Sequence, residues 1–174
     1  IVRLVIFSVV AIDQRGYGQS DKPWKVDDYK MEYLVQDIKE IIEALVKVGY
    51  LYKTESGYKK AIVVAHDWGA KVSWNVALEH PEMIEKLVIL NCPHPSAFPE
   101  VLKINRWQHL RIWYISFFLC PVLPEWGFAS GDFDLLERAY KSCVDKGHST
   151  QEDVEAFKYN LSKPGKERSV YITC

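Results

Sequence analysis

Ala61-Ile62-Val63-Val64-Ala65-His66-Asp67-Trp68-Gly69-Ala70 is the stretch on which the fold turns. Five small or β-branched apolar residues in a row predict a strand buried on both faces, as in a parallel sheet. The run breaks abruptly at His66-Asp67, and the residues after it read as a helix that stops before Pro81. A side chain at such a joint is lifted off the sheet on a sharp turn. Ala65 and Gly69, two positions either side of Asp67, are small, as a close approach of strand and helix backbones requires. The helix also points its unpaired N–H groups at the joint. The place suits a nucleophile whose attack creates negative charge nearby, and its occupant is Asp67.

Outward from the joint the pattern repeats. Leu87-Val88-Ile89-Leu90 predicts another strand, leading into Asn91-Cys92-Pro93-His94-Pro95. Upstream, Met31, Leu34, Val35, Ile38, Ile41, Ile42 and Leu45 follow helical spacing, with Asp27 or Asp28 to cap the start and Gly49 past the end. Before that helix, Asp13 to Pro23 reads as a loop broken by Gly16 and Gly18, and the apolar run from Leu4 to Ile12 as an opening strand. Strands alternating with helices over short connections give an α/β fold with a few parallel strands and flanking helices. From about residue 95 the apolar residues come in helical bursts: Trp107 to Leu119, Phe133 to Val144 and Val154 to Leu161. The expected division is therefore a piece of an α/β core over 1–94 and a helical layer over 95–174.

The totals exclude several classes of function. In 174 residues, 22 Lys and Arg face 23 Asp and Glu, so no basic excess exists to grip nucleic acid. The apolar start is too short to span a bilayer and lacks the features of a signal peptide. No two histidines sit at metal-ligand spacing with a carboxylate or thiol, so no metal is expected. Cys92, Cys120, Cys143 and Cys174 form no C-x-x-C pair and read as free thiols in a reducing, intracellular-facing compartment.

An aspartate at the joint changes the chemistry a serine would do there. It is an anion at neutral pH and needs no base to attack an electrophilic sp³ carbon, leaving a covalent ester. Opening an epoxide or displacing a halide fits; acyl transfer of the serine type does not. Asp67 could equally serve as the cap of the following helix, and the flanking residues fit both roles.

V-V-A-I-D-Q-R-G-Y-G-Q-S-D-K-P at 9–23, V-V-A-H-D-W-G-A at 63–70 and L-V-I-L-N-C-P-H-P at 87–95 occur in order and at sensible spacings. With these stretches the sequence resembles the α/β-hydrolase superfamily, and within it the animal epoxide hydrolases of the membrane-associated branch, over roughly 9 to 165. The resemblance implies that Asp67 is the nucleophile and that the Trp68 backbone N–H is half of an oxyanion hole. It implies that 95–174 is part of a helical lid (cap), and that the Trp68 ring, His66 and Phe117 line the pocket or its floor. Family members carry lid tyrosines that meet the alkoxide as the ring opens. Tyr114-Ile115-Ser116-Phe117-Phe118 matches that pattern and nominates Tyr114. The implied substrate is a lipophilic epoxide of lipid or xenobiotic type, and the resemblance implies no cofactor. The implied setting is intracellular with membrane association, at the endoplasmic reticulum, through residues before Ile1.

The match also has gaps. After Leu161-Ser162-Lys163-Pro164-Gly165 the sequence departs from the family, and Tyr171 falls about three residues from where a second lid tyrosine belongs. Ile1 to Ser8 holds no H-G-x-P loop, and no acid and histidine follow the lid. We therefore expect the 174 residues to be an incomplete chain, alkylated once at most and unable to turn over. Two other functions share these residues. A dehalogenase uses the same aspartate with halide-binding N–H donors in the lid. A non-catalytic relative would bind apolar ligands and form no adduct.

Overall fold

The residues around Asp67 form a parallel β-α-β unit. A computed structural model of the chain describes residues 8–48, 60–118, 120, 127, 131 and 133–162. Strand β1 (Ala61–His66) runs into helix α2 (Asp67–Glu79), a short 3-10 turn at Pro81–Met83 comes next, and strand β2 (Ile84–Leu90) pairs parallel with β1. The register sets His66 opposite Leu90, with one irregularity between Ala61 and Ile62. β2 starts earlier than its apolar run and takes in Glu85 and Lys86, both exposed. Backbone pairing extends a strand wherever the partner offers donors and acceptors, whatever the outward side chains are.

Helix α1 (Met31–Lys47) covers one face of this unit. Leu34 and Val35 pack with Val72 and Val76 of α2, and Met31, Ile38 and Ile84 close around them. Ile42, Ala61 and Met83 form a second cluster that shares Ile38 and Ile84. Of the stripe read from the sequence, Leu34, Val35 and Ile42 are buried and Met31, Ile38, Ile41 and Leu45 half-buried; Val46, outside that reading, is buried as well. The start of α1 differs from expectation. Asp27 and Asp28 lie in a 3-10 turn, Val26–Tyr29, and the cap position belongs to Lys30, which offers no side-chain cap. The two aspartates thus lie ahead of the cap position, in the 3-10 turn before the helix.

Two further expectations are corrected. Residues 8–14 join no ladder, and Val9 is 89% exposed. Leu4 to Phe7 and Gly49 lie outside the described residues. An apolar β-branched run supplies propensity, but a strand exists only where a neighbour completes its hydrogen bonds. Nor are β1 and β2 buried on both faces: Val64 is 66% exposed, and Ile62, Val88 and Leu90 are also open. Among the described residues only the face under α1 and α2 is covered, because no second helical layer lies against the other.

The chain divides into two compact units, Ile1–Gln14 with Lys30–Pro99, and Arg15–Tyr29 with Glu100–Cys174. In the second, Gly16 and Gly18 adopt the left-handed backbone that the turn requires, and Gly16 N–H donates to the Asp21 carbonyl at 2.8 Å. Arg15 Nη1 donates to the Asp28 carbonyl at 2.9 Å. Helices α3 (Ala97–Ile104), α4 (Arg106–Arg111) and α5 (Trp113–Phe118) are short, broken at Asn105 and Ile112. Helices α6 (Asp134–Asp145) and α7 (Gln151–Ser162) pack together through a Tyr140–Phe157 ring stack at 5.1 Å and an ion pair from buried Lys158 to Glu137. A reciprocal cap starts α7: Thr150 donates to Asp153 Oδ2, and the Asp153 N–H donates back to Thr150 Oγ1.

Val76 is 1% exposed at the centre of the α1–α2 contact. Val76→Ala removes two methyl groups from a filled space and is expected to cost about 2 kcal/mol of stability, measured by denaturant unfolding. Leu78→Ala, on the exposed side of the same helix, should stay within about 0.5 kcal/mol.

Candidate active site

Asp67 is the first residue of α2, and its φ of 52° is left-handed. A residue with a Cβ seldom sits there, because the side chain crowds the backbone at a cost of order 1–3 kcal/mol. The cap position falls to His66, in extended geometry. Asp67 is thus the turn itself, and its exposed carboxylate makes no hydrogen bond among the described residues. The expectation of close backbone approach at Gly69 resolves differently: a Cβ there would meet Gln14 Nε2 at 2.9 Å, the end of a flexible side chain. Ser73, buried one turn on, donates to the Gly69 carbonyl at 2.9 Å.

The neighbours of Asp67 in the sequence lie beside it in different roles. Trp68 is half-buried, and the Lys71 ammonium stands 5.1 Å from its ring centroid, which holds the indole over α2. The Trp68 N–H is among the first four of α2, which the helix leaves without an acceptor of its own. His66 ends β1, and Asn91 directly follows β2. Asn91 Nδ2 donates to His66 Nε2 at 3.1 Å, and Asn91 is itself left-handed at φ 55°. Both strands therefore end at one edge in a left-handed residue, Asp67 after β1 and Asn91 after β2. The ends of parallel strands are where α/β sheets place their ligands.

Asn91 carried no role in the sequence reading. An asparagine directly after a strand, a residue type that tolerates left-handed backbone, was the available signal. His94 is held by Ser96, whose N–H donates to its Nδ1 at 3.2 Å, and its ring meets Trp74 edge-on at 4.8 Å. Tyr114 and Phe117 lie on α5 in the second unit. Tyr114 is 40% exposed, and the half-buried Phe117 ring lies 6.2 Å from that of Trp113. Thus His66, Asp67 and Trp68 share one unit, and Tyr114 and Phe117 the other. Among the described residues no group of three or more His, Cys, Asp or Glu is placed to hold a metal ion.

Electrostatically, Cys92 reports on the joint. Burial pushes its thiol pKa up, the Asp67 carboxylate pushes it further, and Lys71 partly offsets both. Removing the carboxylate charge should therefore favour the thiolate. Asp67→Asn is expected to speed iodoacetamide labelling of Cys92 at neutral pH, tracked by peptide mass analysis; an unchanged rate would mean that the two groups are not coupled.

Comparison with known proteins supplies the wider setting. Residues 3–114 match the family described as alpha/beta hydrolase fold. The chain is 39% identical over 164 residues to epoxide hydrolase 4 of Mus musculus, covering 91% of this chain and 43% of that one. It is 39% identical over 163 residues to epoxide hydrolase 1 of Caenorhabditis elegans, covering 91% and 38%. It therefore spans less than half the length of these relatives. Among solved structures it is similar to the Bacillus megaterium epoxide hydrolase in complex with an inhibitor. That match has a TM-score of 0.75 at 31% identity and covers 92% of this chain and 54% of that one. A variant of the same bacterial enzyme, complexed with its product, a naphthyloxy-propane-1,2-diol, matches with a TM-score of 0.75 at 30% identity, covering 92% and 53%. With its parallel β-α-β unit and the matched stretch extending over most of its length, the chain belongs to the alpha/beta hydrolase fold family.

Proposed function

We propose that this chain carries the nucleophile of an epoxide hydrolase, which converts an epoxide and water into a vicinal diol through an ester on Asp67. The observation that carries this reading is the left-handed backbone of Asp67 at the strand-to-helix turn, with its carboxylate exposed and free of hydrogen bonds among the described residues. Strain at a turn that leaves a charged group unpaired has no value to a helix cap, whereas a nucleophile needs that freedom. Similarity to epoxide hydrolases over 91% of the chain supports it.

In the first step an Asp67 carboxylate oxygen attacks one epoxide carbon. The C–O bond on that carbon breaks, its electron pair stays on the oxygen, and the alkoxide takes a proton from the Tyr114 hydroxyl. In the second step water adds to the ester carbonyl. The oxyanion formed there is met by the Trp68 N–H, aided by the positive end of α2. Collapse expels the ester oxygen, which takes one proton of the added water to complete the diol; the other proton returns to the tyrosinate, and the Asp67 carboxylate is restored. We place the Trp68 ring, His66 and Phe117 along the substrate, and take residues 95–174 as lid. The substrate is a lipophilic epoxide. An aromatic one suits the lid's Trp107, Trp113 and Phe117, as the naphthyloxy diol suits the bacterial relative. We place the protein inside the cell, associated with the endoplasmic reticulum membrane, on the family resemblance; among the described residues no helix is long and apolar enough to cross a membrane.

Incubation with an aryl epoxide should add one epoxide mass to the peptide holding Asp67. Asp67→Asn should abolish the adduct, and Tyr114→Phe should slow its formation by roughly 10²–10⁴. Adducts that persist in Asp67→Asn at the wild-type rate, or halide release from a haloalkane in place of epoxide opening, would overturn the assignment.

A further inference from the structure

The bond between Asn91 and His66 joins the two strand ends beside the candidate nucleophile, and neither step of the proposed reaction uses it. Asn91 Nδ2 can only donate, so His66 Nε2 must accept, at 3.1 Å. A ring nitrogen that accepts carries no proton. In that bond the ring proton of His66 sits on Nδ1. The bond spans 25 residues of sequence, from the residue before Asp67 to the residue after β2. Asn91 reaches it from a left-handed backbone, which costs free energy for any residue but glycine. Glycine would sit there without strain, yet would have no amide to offer.

We propose that Asn91 is a positioning residue for Asp67: its amide pins His66, in the Nδ1–H form, to the end of β2, and so fixes the strand end from which the nucleophile turns. The two left-handed residues follow directly on the register partners His66 and Leu90. A sheet holds strand ends loosely, because the last ladder bond has no neighbour beyond it. A side-chain tie one residue past the ladder removes that freedom where Asp67 needs it least. The inference rests on the reading of Asp67 as nucleophile, and deepens it by naming what aims the carboxylate.

Asn91→Gly separates the two contributions, because glycine keeps the left-handed backbone while losing the amide. Two readouts serve. The first is imidazole ¹⁵N NMR of His66 at about pH 8, where a free histidine is neutral. Wild type is expected to show a protonated Nδ1 and a bare Nε2; Asn91→Gly should release the ring toward the Nε2–H form. The second is the rate at which the Asp67 peptide gains the aryl epoxide mass. It should fall at least about tenfold in Asn91→Gly, given that a misplacement of about 1 Å can cost 10²-fold. A wild-type His66 protonated on Nε2 overturns the proposal, as do equal alkylation rates in the two proteins. Absence of any Asp67 adduct in wild type would instead refute the nucleophile reading, and the NMR result would still report on the tie itself.

Discussion

A left-handed backbone at Asp67 is the constraint around which the first unit is arranged. The cost of holding a residue with a Cβ at φ 52° is of order 1–3 kcal/mol, and nothing local to Asp67 offsets it. The offset comes from the packing on either side. β1 is fixed by its ladder to β2, and α2 by Val72 and Val76 against Leu34 and Val35 of α1. With strand and helix both held, the one residue between them has to make the turn. α1 contributes no group to the site, yet its buried stripe keeps the turn from relaxing.

The charges around the joint follow from the same geometry. Starting α2 at Asp67 leaves the Trp68 N–H without an intrahelical acceptor, at the positive end of the helix. One turn on, Lys71 stands over the Trp68 ring. Cys92, entering from the end of β2, feels both Asp67 and Lys71, with burial and the carboxylate holding its thiol protonated. The parallel pairing thus brings groups from two distant stretches of sequence to one edge of the sheet.

The joint was legible in the sequence because the pattern there changes from a continuous apolar run to a helix within two residues, and such a change has few physical meanings. The stripe of α1 was legible for a similar reason: seven apolar residues at helical spacing cannot all be exposed. What eluded the reading depends on partners. The run at Val9 to Ile12 has the composition of a strand but no ladder. Asp27 and Asp28 have the chemistry of caps but lie a few residues too early. The importance of Asn91 depends on the β1–β2 register, which no local pattern contains. The cap formed by Thr150 and Asp153 at the start of α7 went unread in the sequence and emerges only from the structure. Tyr114 owes its nomination to family resemblance, since a tyrosine among Trp113, Phe117 and Phe118 is ordinary by composition.

The central claim is that the attacking oxygen belongs to Asp67 rather than to water. Exposure to an aryl epoxide in ¹⁸O-water, with protein in excess, tests it most directly. Attack by Asp67 leaves an ester on that residue carrying no ¹⁸O, and wherever this ester is then cleaved at its carbonyl, ¹⁸O enters the Asp67 carboxylate while the diol stays unlabelled. Label in the diol, with none in the Asp67 peptide, would mean that water opens the ring directly and that the left-handed turn at Asp67 holds something other than a nucleophile.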